Sequence, residues 1–259
     1  MIIFSFDCAI KNLGFCCIEF DENWRTKAAE IINSLNNLYS IIKDISKDEF
    51  LQKSKEILTD TNNLLDNMFK LHYANTIDLI SEKKVEEVKY SDIFKSLKYV
   101  LECLNRQLPK PDIVLIETQM SINDKARGIS RYIEDMYSDV DIPDTEITFA
   151  IKEFPLITFD IYDTPVKKVQ CINANLKNTY SVDLSPGGDY GEFISKYSNY
   201  TANKKHTEHN FKYYMNKTGR GKILKSVPNK LDDVSDAFMM AYAWLCHHKY
   251  IDAENGIPI

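Results

Sequence analysis

The chain has 259 residues, 44% of them hydrophobic, with only eight Gly and eight Pro. That composition suits a packed domain with a substantial core and excludes linker-rich or fibrous architectures. No stretch approaches the ~18 consecutive apolar residues of a membrane span, and Met1 runs straight into strand-like residues with no basic start, so neither a membrane helix nor a signal peptide is expected.

The formal charge of −6 is unevenly spread. Residues 201–230 hold eight Lys/Arg against the single acid Glu208, whereas residues 134–163 hold nine acids against the single base Lys152. A chain so polarised can bind a polyanion locally while remaining acidic overall. The six cysteines (Cys8, Cys16, Cys17, Cys103, Cys171 and Cys246) form no C-x-x-C pair. They read as buried free thiols in a reducing compartment, not as a zinc site or a disulfide framework.

The first elements lie within Ile2–Phe20, two apolar runs split by a tight turn. They predict a buried strand ending at Asp7 and a second strand after it. Lys27–Ile32 could supply a third strand, although the same residues are compatible with a helix. From about residue 35 to residue 90 apolar residues recur at spacings of three and four: Leu38, Ile41, Ile42 and Ile45, then Ile57, Leu64, Met68 and Leu71, then Ile77 and Ile80. This predicts two or three amphipathic helices inserted into the domain. Ile93, Phe94, Leu97, Val100, Leu101 and Leu104 predict a further helix over 93–108, stopped by Pro109 and Pro111. Ile113–Ile116 is a short β-rich run that reads as a central strand, with Glu117 at its end.

Beyond it, residues 119–137 predict a helix and residues 157–162 a strand. Residues 165–175 predict a turn into a short helix, and residues 203–215 a lysine-rich helix. Thr218–Lys222 is a basic loop, and its glycines lack the spacing of a P-loop. His206 and His209 lie three apart without acidic or Cys companions that would mark a zinc site. Tyr213 and Tyr214 suit either base stacking or the core, and the core is the commoner use. The last predicted helix begins at Lys230, carries the apolar stripe Leu231, Val234, Phe238, Ala241, Tyr242 and Leu245, and packs on the sheet. Asp232, Asp233 and Asp236 crowd its first turns. Acids there favour the helix dipole, so capping alone would account for them.

A second reading comes from taking the acids together. Asp7 and Glu117 each end a buried strand, and ligand sites of parallel sheets lie at the carboxyl ends of strands. Asp233 and Asp236 share one helix face. Four carboxylates in one place repel unless a cation neutralises them, and oxygen-only ligands favour Mg²⁺ or Mn²⁺. Asp232, four residues before Asp236, competes with Asp233 for the fourth place.

Four pieces of sequence, in this order, resemble the RuvC-type Holliday junction resolvases of the ribonuclease H-like nucleases, and most closely their poxvirus-type branch. They are Phe6-Asp7-Cys8-Ala9-Ile10-Lys11-Asn12 followed by Gly14; Ile116-Glu117-Thr118-Gln119; Asn203-Lys204-Lys205-His206; and Asp232-Asp233-Val234-Ser235-Asp236-Ala237. The resemblance implies an α/β fold, a ribonuclease H-like mixed central sheet flanked by helices, as one domain over 1–259 with the helical insertion at about 35–90. It implies Asp7, Glu117, Asp233 and Asp236 as ligands of two Mg²⁺ or Mn²⁺ ions. Lys205, or Lys204, would support the scissile phosphate, and Lys204, Lys205, Lys212, Arg220 and Lys222 would contact DNA.

The implied activity is paired cleavage of four-way DNA junctions by a homodimer, in recombination or viral genome processing. No small-molecule cofactor or membrane is expected, and the expected setting is intracellular, cytoplasmic if the source is viral. The same acids would serve a nuclease acting on RNA–DNA hybrids. A non-catalytic DNA-binding module working through the helical insertion is the remaining class, and the acid cluster argues against it. An actin-like ATPase also ends its first strand in Asp, but no second Gly-rich phosphate loop is present.

Overall fold

The computed structural model describes residues 1–81, 84–118, 123–138, 168–173, 199–217 and 231–248, together with residues 176, 221 and 224. Five strands form one sheet: β1 (Ile2–Asp7), β2 (Leu13–Phe20), β3 (Phe69–Ile77), β4 (Ile113–Thr118) and β5 (Lys168–Asn173). Their order is β3-β2-β1-β4-β5. β1, β2 and β3 are antiparallel neighbours, while β4 pairs parallel to β1 and β5 parallel to β4. The result is a mixed α/β sheet. Among the described residues six α-helices accompany it: α1 (Trp24–Ser40), α2 (Lys47–Asn67), α3 (Tyr90–Gln107), α4 (Asp124–Ser138), α5 (Asn199–Lys217) and α6 (Leu231–His247).

Side chains alternate across the sheet with period two, and the two faces carry separate cores. Phe4, Phe6, Leu13, Phe15, Val114 and Ile116 meet the buried stripes of α3 and α4. Here Phe4, Phe6, Phe15 and Tyr137 form an aromatic knot with ring centroids 4.8–6.1 Å apart. On the other face Ile3, Cys16, Ile18, Phe20, Ile113, Leu115 and Ile172 pack under α6. The α6 stripe is wider than the sequence predicts: every residue from Asp232 to Cys246 is buried. The cause is α5, which packs along α6 and contributes Phe211, Tyr214 and Met215 to the same core.

The central strands are tied at their start by Asp112. Its carboxylate accepts from Ile2 N at 2.8 Å, and its backbone N–H donates to Ile2 O at 2.9 Å. The α3 helix follows its prediction, with Asp92 in the first turn and Arg106 in the last, both favourable to the dipole.

Three regions differ from expectation. Lys27–Ile32 lies inside α1, because it offers no apolar alternation and Lys, Ala and Glu are good helix formers. Residues 69–77 are a strand, not the end of a helical insertion. Phe69 and Leu71 fit both periods locally, and pairing with β2 over Leu13–Phe20 decides between them. The helical hairpin α1–α2 therefore interrupts a sheet whose third strand follows it. Residues 168–173 are strand β5, where a short helix is expected, because parallel pairing with β4 supplies partners for its backbone. The strand expected at 157–162 lies outside the described residues.

Trp24 anchors the hairpin: it is fully buried and donates from Nε1 to Leu64 O at 3.2 Å. Ser46 caps α2 by accepting from Glu49 N at 3.2 Å. Among the described residues no helix is long and apolar enough to cross a membrane. All six cysteines are free, but Cys171 is exposed and Cys103 half-buried, so burial holds for Cys8, Cys16, Cys17 and Cys246 only.

Candidate active site

Asp7 is the last residue of β1 and Glu117 the last but one of its parallel neighbour β4. The β1–β4 register pairs Phe6 with Ile116, so the next position on each strand is Asp7 beside Glu117. Alternation puts both on the face that carries Ile3, Ile113 and Leu115, the face covered by α6. The start of α6 brings Asp232, Asp233 and Asp236 to this same pole. The link between sheet and helix is Gly14, which pairs with Asp7 in the β1–β2 register. A Cβ on Gly14 would stand 2.6 Å from the carbonyl carbon of Asp233 and 3.2 Å from Asp7 Cβ. The backbone of α6 thus rests directly on β2 next to Asp7.

These five acids are 7–9% exposed, far less than surface carboxylates. Cys8, the residue after Asp7, belongs to the core on the opposite face of the sheet and feels the charges of Asp7 and Glu117. Burial pushes its thiol well above the ordinary range, Ser130 opposes this by hydrogen bonding, and the charges of Asp7 and Glu117 add to the rise. Ser130 also donates from Oγ to the backbone carbonyl of Glu117 at 3.2 Å and to Ala126 O at 3.3 Å. It ties α4 to the end of β4 where Glu117 stands.

The basic helix α5 meets this pole through Lys204, whose Nζ lies 2.8 Å from Asp232 Oδ2. Lys205 instead pairs with Glu208 on its own helix at 3.1 Å, and Lys212 reaches the same carboxylate at 3.5 Å. Tyr214 is core, its ring 5.4 Å from Phe69 and 5.3 Å from Phe238. Arg220 and Lys222 lie outside the described residues.

Carboxylate oxygens are the donor type that suits Mg²⁺ or Mn²⁺. Among the described residues, however, no group of three or more His, Cys, Asp or Glu side chains is gathered tightly enough to hold an ion. The donor chemistry fits a hard divalent cation, and the acids reach the pole as two pairs, Asp7 with Glu117 on the sheet and Asp233 with Asp236 on the helix. Sequence reasoning missed Ser130, although a signal was present: it is a polar residue within the buried stripe Ala126, Ile129, Ile133 and Tyr137 of α4.

No family model and no curated protein matches the chain. Among solved structures it is similar to the fowlpox virus Holliday junction resolvase, at 16% identity and a TM-score of 0.46 over 96% of this chain and 99% of that one. The fowlpox virus resolvase in complex with its substrate Holliday junction DNA gives the same identity, coverage and TM-score.

Proposed function

We propose that this chain is a metal-dependent endonuclease that cleaves DNA phosphodiesters at four-way junctions. The observation that carries the reading is the gathering of buried acids at one pole, between the carboxyl ends of β1 and β4 and the start of α6, with the basic helix α5 alongside. Such a cluster concentrates negative charge where water is scarce, which is costly without a cation to balance it. Asp7, Glu117, Asp233 and Asp236 would hold Mg²⁺ or Mn²⁺, which when bound supplies a nucleophilic water at neutral pH and stabilises charge on the phosphate. The junction as substrate comes from the motif resemblance of the four sequence pieces.

Each neighbouring residue then has a defined task. Lys204 takes Asp232 into an ion pair and fixes α5 against the acid-bearing helix. Lys205 and Lys212 share Glu208, and DNA phosphates can replace that single carboxylate as their partner. Binding through these lysines, with Arg220 and Lys222 beyond them in sequence, should weaken steeply as salt rises. A homodimer would offer two such poles to opposed strands of one junction.

The test uses labelled four-way junction, matched duplex and RNA–DNA hybrid, with and without Mg²⁺. Paired nicks on the junction alone, dependent on metal, are expected. Asp7→Asn should cut at least roughly a hundredfold more slowly while still binding the junction. Undiminished cleavage by Asp7→Asn overturns the assignment, and cleavage of the hybrid in place of the junction reassigns the substrate.

A further inference from the structure

The two acid pairs belong to different elements, and nothing in either element alone sets the gap between them. Asp7 and Glu117 are fixed to each other by the sheet register, and Asp233 and Asp236 by one turn of helix. The gap between the pairs depends on how closely α6 approaches β2, and at Gly14 the two backbones lie directly against each other. Glycine is required where one backbone must lie against another, because any Cβ would hold them apart. The obstacle at Gly14 is the Asp233 carbonyl group, backbone that moves only if the helix moves.

Gly128 on α4 is a useful contrast. A Cβ there would stand 3.1 Å from the Phe94 ring edge, a side chain that can turn aside. It is also tightly packed, but in the α3–α4 layer on the other side of the sheet from α6.

We infer that Gly14 is a positioning residue that sets the spacing between the sheet-borne and helix-borne acids, and so the divalent-cation affinity of the pole. This rests on the metal-site reading proposed above. A methyl group at position 14 lifts the first turn of α6 and carries Asp233 and Asp236 away from Asp7 and Glu117. Val234, fully buried next to Asp233, offers a second handle on the same turn, since one added methylene there presses on the same packing.

The experiment counts Mn²⁺ bound by the purified full chain, from the loss of the free-ion electron paramagnetic resonance signal, with thermal unfolding followed in parallel. Gly14→Ala should weaken Mn²⁺ binding about tenfold or more, Val234→Ile should weaken it severalfold, and Gly128→Ala should leave it unchanged whatever it does to Tm. Wild-type Mn²⁺ affinity in Gly14→Ala overturns the inference. So does an equal loss in Gly128→Ala, which would mark general loosening. Should Gly14→Ala fail to fold, Val234→Ile decides in the same sense, with unchanged affinity overturning the inference. Wild-type protein that takes up no Mn²⁺ overturns the underlying metal reading, and that failure is recognised before any variant is made.

Discussion

The α6 helix and the two helices of the α1–α2 hairpin are all long and carry large apolar side chains, yet they meet solvent in opposite ways. Residues 232–246 of α6 are buried without interruption, acids included. In the hairpin Ile32, Leu35, Tyr39, Ile42, Leu51 and Leu58 are all exposed; among the described residues only Tyr90 and Tyr99 of α3 join them as large exposed hydrophobics. The difference lies in the partners. α6 is covered by the sheet on one side and α5 on the other, whereas α1 and α2 chiefly cover each other, held at the base by Trp24. Apolar periodicity therefore states that a helix has a face to bury, and it is the topology that supplies or withholds the surface that buries it. The acids sharpen the contrast. Charges on α2 such as Asp48 and Glu49 sit in solvent at a helix start, the arrangement of ordinary capping acids, while the equivalent acids of α6 are buried against a strand.

The contrast is broken most directly by truncating one side chain in each region. Phe238 is fully buried, with Phe211 and Tyr214 each 5.3 Å away between ring centroids. Phe238→Ala should cost about 3–5 kcal/mol, whereas Leu58→Ala should change stability by less than about 0.5 kcal/mol; urea unfolding of both variants checks this. A large loss from Leu58→Ala would mean that the hairpin buries that face in solution.

A smaller effect separates the two adjacent lysines of α5. Lys204 serves an acid whose side chain is only 12% exposed, while Lys205 serves a helix neighbour and its own side chain is 40% exposed. Lys204→Met should destabilise by about 1–3 kcal/mol, because it leaves the Asp232 carboxylate without its cation, and Lys205→Met by no more than about 0.5 kcal/mol. Equal effects would remove the distinction between a lysine that fixes the acidic pole and one that stands ready for phosphate.

The smallest effect lies at the seam between sheet and hairpin. The hydrogen bond from His72 at 2.9 Å holds the Glu19 carboxyl below its ordinary value of 4.5, with Lys70 helping and partial burial opposing. A lowered folded value means that this contribution is present above pH 4.5 and is lost as pH falls through the folded value. Because Glu19 is 41% exposed, solvent screening limits the contribution to below about 1 kcal/mol. Glu19→Gln should flatten the acid limb of Tm against pH slightly, and an unchanged limb would show that the pair contributes nothing.

Much of the candidate site was legible because its residues sit at recognisable places in local patterns. Asp7 and Glu117 interrupt apolar runs at their ends, and Asp233 and Asp236 are spaced for one helix face. Strand β3 was not legible, because Leu71 and Ile77 satisfy a helical spacing as readily as a strand, and only the antiparallel partner β2 chooses. β5 failed for the same reason: Val169 to Asn173 becomes a strand because β4 leaves an edge to be paired. Ser130 was overlooked because its partner, the Glu117 carbonyl, is supplied by another element.

By itself, then, the sequence determined which segments carry apolar faces, where acids end strands or begin a helix, and that the basic residues cluster late in the chain. These follow from interactions among residues a few positions apart, which periodicity records. The tertiary structure alone decided that β1 and β4 lie side by side with Asp7 next to Glu117, that Lys204 and not Lys205 reaches Asp232, and that Gly14 seats α6 on the sheet. Those contacts join residues distant in the chain, and their distances are set by strand register and helix packing, which no local pattern encodes.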